Sequence, residues 1–377
     1  MKVLFIVPYY KPAYAYGGPI VVISMLAERL VLLGHEVTVY TTATNGKTEL
    51  DVEKGKEVLV DGVKVIYFNK NTGDNTYICV DLWRHLNITA TDFDTIHIHT
   101  WWNFLVLGAA LICRRKGIKP IISPHGMLSD YIIYNRNVLA KKFVHRFLGK
   151  GLLKDSWLHV STGLEWEESK KIIETWEGRV IPNLVKLTDR TFTKPENDVF
   201  TIGFLSRVDP KKGLDVLIKA LSKVNFTYQL VIAGSGEPHY INTLQNLANR
   251  YGNGKNITWV GWKGGETKFD FLSKLDLMAL TSHSENFAIV IIESLSVGTP
   301  VFISDQVGLF KYIIDKDFGW VTEMKVETVT DNLNKLYQQK DKIKKINIKA
   351  PLTIKQEYEE NSLANRYIQL YEFAKSN

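Results

Sequence analysis

The sequence predicts an α/β protein with two Rossmann-like, doubly wound domains that face each other across a cleft. The chain has 377 residues, which is more than a single hydrophobic core usually covers. Strand-like and helix-like segments alternate in two series, and this favours parallel sheets covered by helices on both faces. A polar stretch at 186–198, KLTDRTFTKPEND, separates the two series. Ligands of open α/β sheets bind at the carboxyl ends of the strands, so the cleft is the expected site.

The first series of elements fills the N-terminal half of the chain. Short runs rich in β-branched and aromatic residues predict strands at 3–7, 36–42, 63–68, 95–100, 120–124 and 157–162. Helical periodicity predicts helices at 19–33, 78–89, 103–116 and 138–153. Pro19 in the first turn and Gly34 after the last turn delimit the first of these helices.

The second series follows the polar stretch. Strands are predicted at 199–206, 228–234, 257–261, 277–281 and 300–304. Helices are predicted at 214–224, 240–251, 268–274 and 288–297. We therefore expect four segments, namely an N-terminal domain, a linker, a C-terminal domain and a C-terminal helix, at 1–185, 186–198, 199–352 and 353–377.

Composition limits the class of protein. Hydrophobic residues make up 45% of the chain and charged residues 23%, which are ordinary values for a globular protein. Cys79 and Cys113 fit neither a disulfide framework nor a metal site, and we expect thiols in a reducing compartment. Pro8 interrupts the N-terminal apolar run, and the run at 104–113 is about half of a membrane span. A soluble, cytoplasmic protein is the expectation.

The net charge of +7 is compatible with nucleic acid, an anionic membrane or phosphorylated ligands, and equally with a lysine-rich solvated surface. The segment at 134–155, YNRNVLAKKFVHRFLGKGLLKD, interleaves basic with apolar side chains. Such a helix can lie on an anionic bilayer, or it can be half-buried with a solvated basic face. No nucleic-acid recognition motif accompanies the charge, so nucleic acid is not an expected partner.

Two patterns could suggest a metal ion, and neither favours one. His97 and His99 alternate on a predicted strand, but no third ligand stands at a suitable spacing. The DFD triplet at 92–94 precedes a strand, whereas a metal-binding DxD should follow one, so we predict a turn there. We expect neither a metal nor a cofactor.

The stretch TSHSENFAIVIIESLS at 281–296 carries two carboxylates of different character. Glu285 falls in a polar loop, whereas Glu293 lies within an apolar run that predicts a buried helix. Burying a carboxylate is costly without a partner, so Glu293 is either paired within the protein or available to a ligand. Ser284 or Asn286 could cap a helix that begins near Ala288.

Three further motifs lie at predicted strand ends or helix starts. LSRVDPKKGLDVLIKAL at 205–221 places Arg207 and Lys212 beside a glycine turn and a helix N-terminus, which suits a diphosphate or a solvated turn. Gly17 and Gly18 precede a helix, where they mark either a phosphate site or only a helix start. His125 follows a strand end and is either a site residue or a structural histidine.

Taken together, these motifs resemble the family 4 retaining glycosyltransferases, which have the GT-B fold. GGP opens the N-terminal domain, PHGML follows a strand, and IPN ends the domain. LSRVDPKKGLDVLIKAL, LVIAGSGE, WVGW and ENFAIVIIESLSVGTPVFISDQVG follow in family order, the last with an E-x7-E pattern at Glu285 and Glu293. Two residues depart from the family pattern, because Leu184 replaces the glycine usual after IPN and Ser294 the common alanine after Glu293.

The resemblance implies a role for each matching residue. Arg207 and Lys212 would hold the diphosphate of a nucleotide sugar. Glu293 would bind the ribose hydroxyls and Glu285 the donor sugar. Backbone groups would complete the sugar and phosphate site at Asn286, Phe287, Ala288 and Ile289.

The resemblance also assigns residues outside that stretch. His125 would lie near the outer hydroxyls of the donor sugar, and the glycines at 17–18 would approach its phosphate. Gly261 and Trp262 would flank the base. The C-terminal helix, roughly 353–374, would cross back to the N-terminal domain.

The resemblance implies a retaining, metal-independent glycosyltransferase. We expect it to move a hexose from a UDP-sugar, such as UDP-glucose, to a saccharide or lipid-linked saccharide during surface or exopolysaccharide biosynthesis. The basic segment at 134–155 suggests peripheral contact with an anionic membrane. The alternative is a non-catalytic nucleotide-sugar-binding protein on the same fold.

Overall fold

The computed structural model describes residues 1–14, 17–74, 76–135 and 138–377 of the chain. The chain divides into two compact units. Unit 1 consists of Met1–Leu184 and Glu360–Asn377, and unit 2 consists of Val185–Glu359. Across the described ranges, none of the helices combines the length and the apolar character that a membrane span requires.

The strands of unit 1 are β1 (Lys2–Tyr9), β2 (Glu36–Thr42), β3 (Thr44–Asn45), β4 (Thr48–Glu49), β5 (Glu57–Val60), β6 (Val63–Phe68), β7 (Thr95–His99), β8 (Ile121–Ser123), β9 (Trp157–Val160) and β10 (Gly178–Val180). Eight of them form one sheet in the order β10-β9-β8-β7-β1-β2-β6-β5, and β3 pairs with β4 in a separate hairpin. Only β5 runs antiparallel to its neighbour within the described part of the large sheet. The strand order reverses at β1, which lies between β2 and β7.

The helices of the first part of unit 1 are α1 (Gly18–Leu32), α2 (Val80–Thr89), α3 (Phe104–Arg115), α4 (Asp130–Asn135), α5 (Val138–Val144), α6 (Lys150–Lys154) and α7 (Gly163–Ile172). A C-terminal helix, Glu360–Ser376, completes the unit. Side chains of β1 from Val3 to Val7 are fully buried, as expected for a central strand covered on both faces.

The predicted helix at 138–153 consists of three successive helical pieces. A π-helical turn at His145–Gly149 joins α5 to α6. Arg136, a basic residue of the segment 134–155, lies outside the described residues.

A buried chain of hydrogen bonds ties the C-terminal helix to the sheet of unit 1. The His97 Nδ1 atom lies 3.0 Å from the Tyr371 hydroxyl, and its Nε2 atom lies 2.5 Å from the Ser123 hydroxyl. The same hydroxyl lies 2.5 Å from the Nδ1 atom of His159, whose Nε2 atom lies 3.0 Å from the Ile181 carbonyl oxygen. These links join β7, β8, β9 and the C-terminal helix.

The carbonyl at the end of this chain fixes the direction of every bond. A carbonyl only accepts, so His159 donates from Nε2 and accepts at Nδ1 from the Ser123 hydroxyl. Ser123 then accepts from His97 Nε2, and His97 Nδ1 accepts from Tyr371. Burial keeps both imidazoles neutral, because it lowers the pKa of His159 to about 3 and the pKa of His97 well below its ordinary value.

The strands of unit 2 are β11 (Phe200–Leu205), β12 (Tyr228–Ala233), β13 (Ile257–Gly261), β14 (Leu277–Leu280), β15 (Val301–Ser304) and β16 (Gly319–Thr322). They form a parallel sheet in the order β13-β12-β11-β14-β15-β16. Counted from β11, this is the 3-2-1-4-5-6 order of the Rossmann fold, in which ligands bind where the order reverses. In unit 2 the reversal lies between β11 and β14.

The helices of unit 2 are α8 (Leu214–Leu221), α9 (Pro238–Arg250), α10 (Glu266–Ser273), α11 (Ile289–Ser296), α12 (Phe310–Lys316), α13 (Val326–Tyr337) and α14 (Lys340–Glu357). The sequence analysis placed every predicted strand of this unit within one residue of its position in the structure. The final elements β16, α12 and α13 were not predicted.

The polar stretch at 186–198 packs along unit 2. The ammonium group of Lys194 donates to the carbonyl oxygens of Ser273 and Leu275 at 2.8 and 2.6 Å and to the Thr299 hydroxyl at 2.5 Å. Burial lowers the pKa of Lys194 to about 7. The sequence composition marks this stretch as polar, but its contacts attach it to the second unit.

The predicted C-terminal helix at 353–374 is divided between the two units. Helix α14 ends at Glu357, and the next helix begins at Glu360. The first of these helices belongs to unit 2 and the second to unit 1. Tyr358, at the C-cap of α14, is buried, and its backbone N–H donates to the Ile354 carbonyl at 2.9 Å.

Candidate functional site

The loop between β11 and α8 is shaped by one aspartate and one glycine. The Asp209 carboxylate accepts a hydrogen bond from the Lys211 backbone at 2.9 Å and caps the short turn Pro210–Lys212. Gly213 has a φ of 63°, and an added Cβ would overlap the carbonyl oxygen of Thr281. Glycine is therefore required there for two reasons, the left-handed backbone and the close approach.

The same loop is attached to the segment that follows β14. The backbone N–H of His283 donates to the Lys211 carbonyl at 2.8 Å, and the Thr281 hydroxyl donates to the Gly213 carbonyl at 3.0 Å. The two loops that flank the reversal of strand order are thus held side by side. The motif at 205–221 and the stretch at 281–296, which are separate in sequence, therefore meet at this edge of the sheet.

Lys212 and Glu285 form an ion pair at this position. Their side chains are only 13% and 14% exposed. The backbone N–H of Glu285 donates to the Gln306 carbonyl at 3.0 Å, and its carbonyl accepts from Gly308 at 2.8 Å, so the loop is fixed on both sides. The carboxylate and the ammonium are therefore preorganised at the carboxyl edge of the sheet.

Arg207 adds a second cation to this edge. It follows β11 and is exposed, and among the described residues it has no ion-pair or hydrogen-bond partner. Lys211 lies in the same loop, and burial lowers its pKa, an effect that the Glu285 carboxylate opposes and the charge of Lys212 reinforces. Lys211 was not among the predicted site residues, because two adjacent lysines in a turn are usually solvated.

Glu293 lies on α11 with its side chain only 8% exposed, and it forms an ion pair with Lys268 of α10. Burial raises the pKa of Glu293, and Lys268 opposes this effect. Of the two options left open by the sequence, the structure shows the first, because Glu293 is buried and paired within the protein. Lys268 was placed on a predicted helix but was not recognised as the partner.

The start of α11 differs from the prediction. The helix begins at Ile289 after Ala288, which has a left-handed φ of 58°, and no side chain caps it. The expectation that Ser284 or Asn286 caps this helix is therefore wrong, because the left-handed residue turns the chain into the helix instead. Phe287 is buried, with its ring 6.3 Å from that of Tyr358.

Gly261 and Trp262 lie at the carboxyl end of β13. Gly261 has a φ of 68°, and its carbonyl accepts from the Gly234 backbone at 2.9 Å. The Trp262 side chain is 62% exposed. An exposed indole at this edge offers a flat apolar surface on which a base can stack.

Unit 1 has its own concentration of unusual backbone at the carboxyl edge. Thr100 and Trp102 follow β7 with φ values of 73° and 50°, and His125 follows β8 with a φ of 52°. Non-glycine residues with positive φ are costly and cluster at functional sites. This edge is the counterpart in unit 1 of the site in unit 2.

The His125 loop is held by a buried carboxylate. Glu165 accepts from the backbone N–H of Gly126 at 2.6 Å and from that of Ser161 at 2.9 Å. His125 Nε2 lies 3.1 Å from the Nδ1 atom of His99, and the two ring planes are inclined by only 19°. Neither Glu165 nor the contact of His99 with His125 was predicted, because the residues are distant in sequence.

Gly17 and Gly18 lie at the start of α1. Gly17 has a φ of 73° and requires glycine, whereas Gly18 is the first residue of the helix and has open space beside it. Among the described residues, no side chain caps α1. Tyr16, which directly precedes these glycines, lies outside the described residues.

The DFD triplet forms the predicted turn before β7. The Asp94 carboxylate accepts from the Lys2 backbone at 2.8 Å and pairs with Lys375 at 2.9 Å. Its position at the amino end of a strand separates it from the carboxyl edge where the candidate residues lie.

Two family models match the chain. The model "Glycosyl transferases group 1" covers residues 186–352, and "Glycosyltransferase Family 4" covers residues 16–165. An uncharacterized glycosyltransferase of Methanocaldococcus jannaschii is 26% identical over 399 residues, covering 99% of this chain and 98% of that protein. The alpha-monoglucosyldiacylglycerol synthase of Streptococcus pneumoniae is 25% identical over 324 residues, covering 79% and 70%.

Solved structures show the same fold. Anabaena HepE in complex with UDP and glucose has a TM-score of 0.72 and 18% identity, covering 100% of both chains. WaaG, a glycosyltransferase involved in lipopolysaccharide biosynthesis, has a TM-score of 0.67 and 16% identity, covering 99% of this chain and 98% of that one. With two parallel-sheet units in this chain, these similarities establish the GT-B fold. The chain belongs to the family 4 glycosyltransferases and is an enzyme of the transferase class.

Proposed function

We propose that this glycosyltransferase moves a hexose from a nucleotide diphosphate sugar to a saccharide or lipid-linked saccharide, with retention of configuration and without a metal ion. The observation that carries the proposal is the group of Arg207, Lys212 and Glu285 at the reversal of strand order in unit 2. Rossmann sheets bind their ligands at that position. We further propose a role in surface or exopolysaccharide biosynthesis and a cytoplasmic location.

The cations would stabilise the leaving group. Cleavage of the bond between the anomeric carbon and the phosphate oxygen builds negative charge on the diphosphate. Arg207 has no partner among the described residues and is available to phosphate oxygens. Lys212 is held in place by Glu285 and needs little reorganisation when the charge develops. The departing phosphate could accept the proton of the acceptor hydroxyl, so the proposal needs no separate base.

The carboxylates would position the rest of the donor. A carboxylate accepts hydrogen bonds from sugar hydroxyls. Lys268 pairs with the Oε1 atom of Glu293, and the other carboxylate oxygen would accept from the ribose. Glu285 would contact the sugar, together with the backbone of the segment 286–289. Trp262 and Gly261 would flank the base.

Residues of unit 1 would complete the recognition of the donor. His125 would bind an outer hydroxyl of the sugar, and Gly18 would approach the phosphate at the start of α1. The named ligands of HepE, UDP and glucose, support UDP-glucose or a similar UDP-hexose as the donor. The acceptor would bind in unit 1.

The experiment that tests this function is a panel of nucleotide sugars. Hydrolysis and transfer are measured with UDP-, GDP- and ADP-hexoses in the presence and absence of glycan acceptors. We expect turnover with at least one UDP-hexose that persists in EDTA. Binding of a nucleotide sugar with no turnover against any acceptor would instead favour the non-catalytic binding protein, and loss of turnover in EDTA would contradict the metal-independent mechanism.

We also propose that unit 1 contacts an anionic membrane. The apolar side chains of Leu139, Phe143 and Phe147 are 84%, 64% and 69% exposed, and they recur four residues apart along the helical segment. We call these three side chains the exposed apolar row. Exposed apolar surface of this kind marks an interaction site in a soluble domain.

Basic side chains lie beside the exposed apolar row. Lys142, Arg146 and Lys150 are exposed on the same helical segment. Apolar side chains that enter the bilayer, flanked by cations that meet anionic headgroups, are typical of interfacial helices. A lipid-linked acceptor in that membrane would then be within reach of the enzyme. The name of one relative, alpha-monoglucosyldiacylglycerol synthase, includes a lipid and supports such an acceptor.

A further inference from the structure

A pair of histidines in hydrogen-bond contact lies at the carboxyl edge of the sheet of unit 1. The His99 Nδ1 atom lies 3.1 Å from the Nε2 atom of His125, and the ring centroids are 5.4 Å apart at an angle of 19°. His99 is the last residue of β7 and is 1% exposed. His125 follows β8 and is only partly buried. One proton lies between two ring nitrogens, and either of them could carry it.

The surroundings of His99 Nε2 show which of the two nitrogens carries the proton. His99 Nε2 is buried without a hydrogen-bond partner among the described residues. If His99 carried its proton there, the structure would contain an orphaned buried N–H, which is rarer in proteins than an orphaned acceptor. The proton therefore belongs on Nδ1, from which His99 donates to His125.

The tautomer of His125 follows from this direction. Its Nε2 atom accepts the bond from His99, so its own proton lies on Nδ1. No described residue is a hydrogen-bond partner of His125 Nδ1. Burial lowers the pKa of His125 to about 4 and that of His99 well below its ordinary value, so both rings are neutral near pH 7.

The backbone of His125 is fixed independently of its ring. The left-handed φ of 52° at His125 is followed by a φ of 76° at Gly126, whose N–H is held by Glu165. Glu165 thus sets where the side chain starts, and His99 sets the orientation of the ring. The ring of the neighbouring His97 lies 4.0 Å from that of His99, but its two nitrogens are engaged by Tyr371 and Ser123 and not by His99 or His125.

We propose that His99 is a positioning residue that holds His125 in the Nδ1–H form, so that His125 offers a hydrogen-bond donor to a hydroxyl oxygen of the donor sugar. The assignment of that ligand rests on the proposed function, whereas the tautomer is a property of the protein alone. A sugar hydroxyl that accepts a hydrogen bond from His125 can still donate its own proton to a second group. The two hydrogen bonds together would restrict the orientation of the sugar.

The test reads the tautomer directly. Long-range ¹H–¹⁵N spectra of protein labelled in histidine distinguish Nδ1–H from Nε2–H by the nitrogen shifts, and the His125 signals are assigned from their loss in His125→Asn. We expect Nδ1–H at His125 in the unmodified protein. In His99→Leu, which removes the donor, the Nε2–H form should appear, whereas His99→Asn, which retains an N–H near the Nδ1 position, should preserve the original form.

Kinetics supply the second readout. His99→Leu should lower kcat/KM for the nucleotide sugar about tenfold, the size expected for one lost hydrogen bond, and His99→Asn should restore most of it. An Nε2–H form at His125 in the unmodified protein, or an unchanged tautomer in His99→Leu, would overturn the proposal. If no nucleotide sugar is turned over by the unmodified protein, the proposed function fails, and the spectra still decide the role of His99.

Discussion

Lys212 and Glu285 are 73 residues apart in sequence and form one ion pair at the carboxyl edge of the second sheet. Each comes from a loop on one side of the reversal of strand order, and backbone hydrogen bonds hold the two loops together. The cation assigned to the leaving group and the carboxylate assigned to the sugar are therefore mechanically coupled.

Arg207→Ala and Lys212→Ala should each lower kcat/KM for transfer by ~10²–10³, because each removes a cationic hydrogen-bond donor to the leaving diphosphate. Lys223→Ala is the matched control, since Lys223 is also paired with a glutamate of unit 2 but lies away from this edge. Steady-state kinetics with the preferred donor give the values. Unchanged transfer in both site variants would refute the leaving-group role.

Glu285→Gln should reduce turnover while leaving the affinity for the free nucleotide diphosphate nearly intact. The amide preserves the shape of the side chain but removes the charge that pairs with Lys212, whose ammonium then remains available to phosphate. Calorimetric titration with the nucleotide diphosphate measures the affinity, and kinetics measure the turnover. Equal losses in both would contradict the division of roles between carboxylate and cation.

Gly213→Ala should destabilise unit 2 by more than a change of backbone preference alone. Gly213 combines a φ of 63° with contact against the Thr281 carbonyl, whereas Gly252 has a φ of 75° with open space around it. We expect Gly252→Ala to cost ~1 kcal/mol and Gly213→Ala clearly more, because the loop must also move. Urea midpoints provide the comparison, and equal shifts in the two variants would show that the contact is unimportant.

The buried chain through His97 and His159 should make unit 1 less stable in mild acid. Both pKa values are lowered in the folded protein, so below the ordinary histidine value of about 6.5 the unfolded chain binds more protons than the folded one. The stabilisation is present above that pH and is lost progressively toward the folded pKa of His159, about 3. Urea midpoints between pH 7.5 and pH 4.5 should fall.

The variant His159→Gln isolates the contribution of His159 to this pH dependence. His159→Gln retains a donor for the Ile181 carbonyl but does not titrate. Its urea midpoint at pH 7.5 should be lower than that of the unmodified protein, and its decline with falling pH should be shallower. An identical slope in both proteins would assign the acid sensitivity to other groups.

The exposed apolar row should govern binding to vesicles. The double variant Phe143→Ser with Phe147→Ser should weaken co-sedimentation with phosphatidylglycerol vesicles at least about tenfold, since each aromatic side chain contributes ~1.5–3 kcal/mol when it leaves water. Ile88→Ser is the control, because Ile88 is 75% exposed on a different helix. Absence of binding to anionic and to neutral phosphatidylcholine vesicles alike would refute the membrane contact.

The sequence located most of the regular elements because their signal is local. Every predicted strand of unit 2 lies within one residue of its observed position, since continuous apolar runs bounded by polar turns identify buried parallel strands. The segments that escaped prediction have weaker patterns, such as β5, whose side chains alternate between exposed and half-buried. The break at Tyr358 also escaped, because helical periodicity continues on both sides of it.

The sequence by itself determined the two α/β domains, the family and the residue types of the candidate site. These follow from periodicity and from short motifs, in which neighbours along the chain act together. Only the tertiary structure decided the partners, because they come from distant strands whose ends meet at one edge of a sheet. Lys212 with Glu285, Lys268 with Glu293, and His99 with His125 are such pairs. The pKa of Glu293 and the tautomer of His125 depend on such partners.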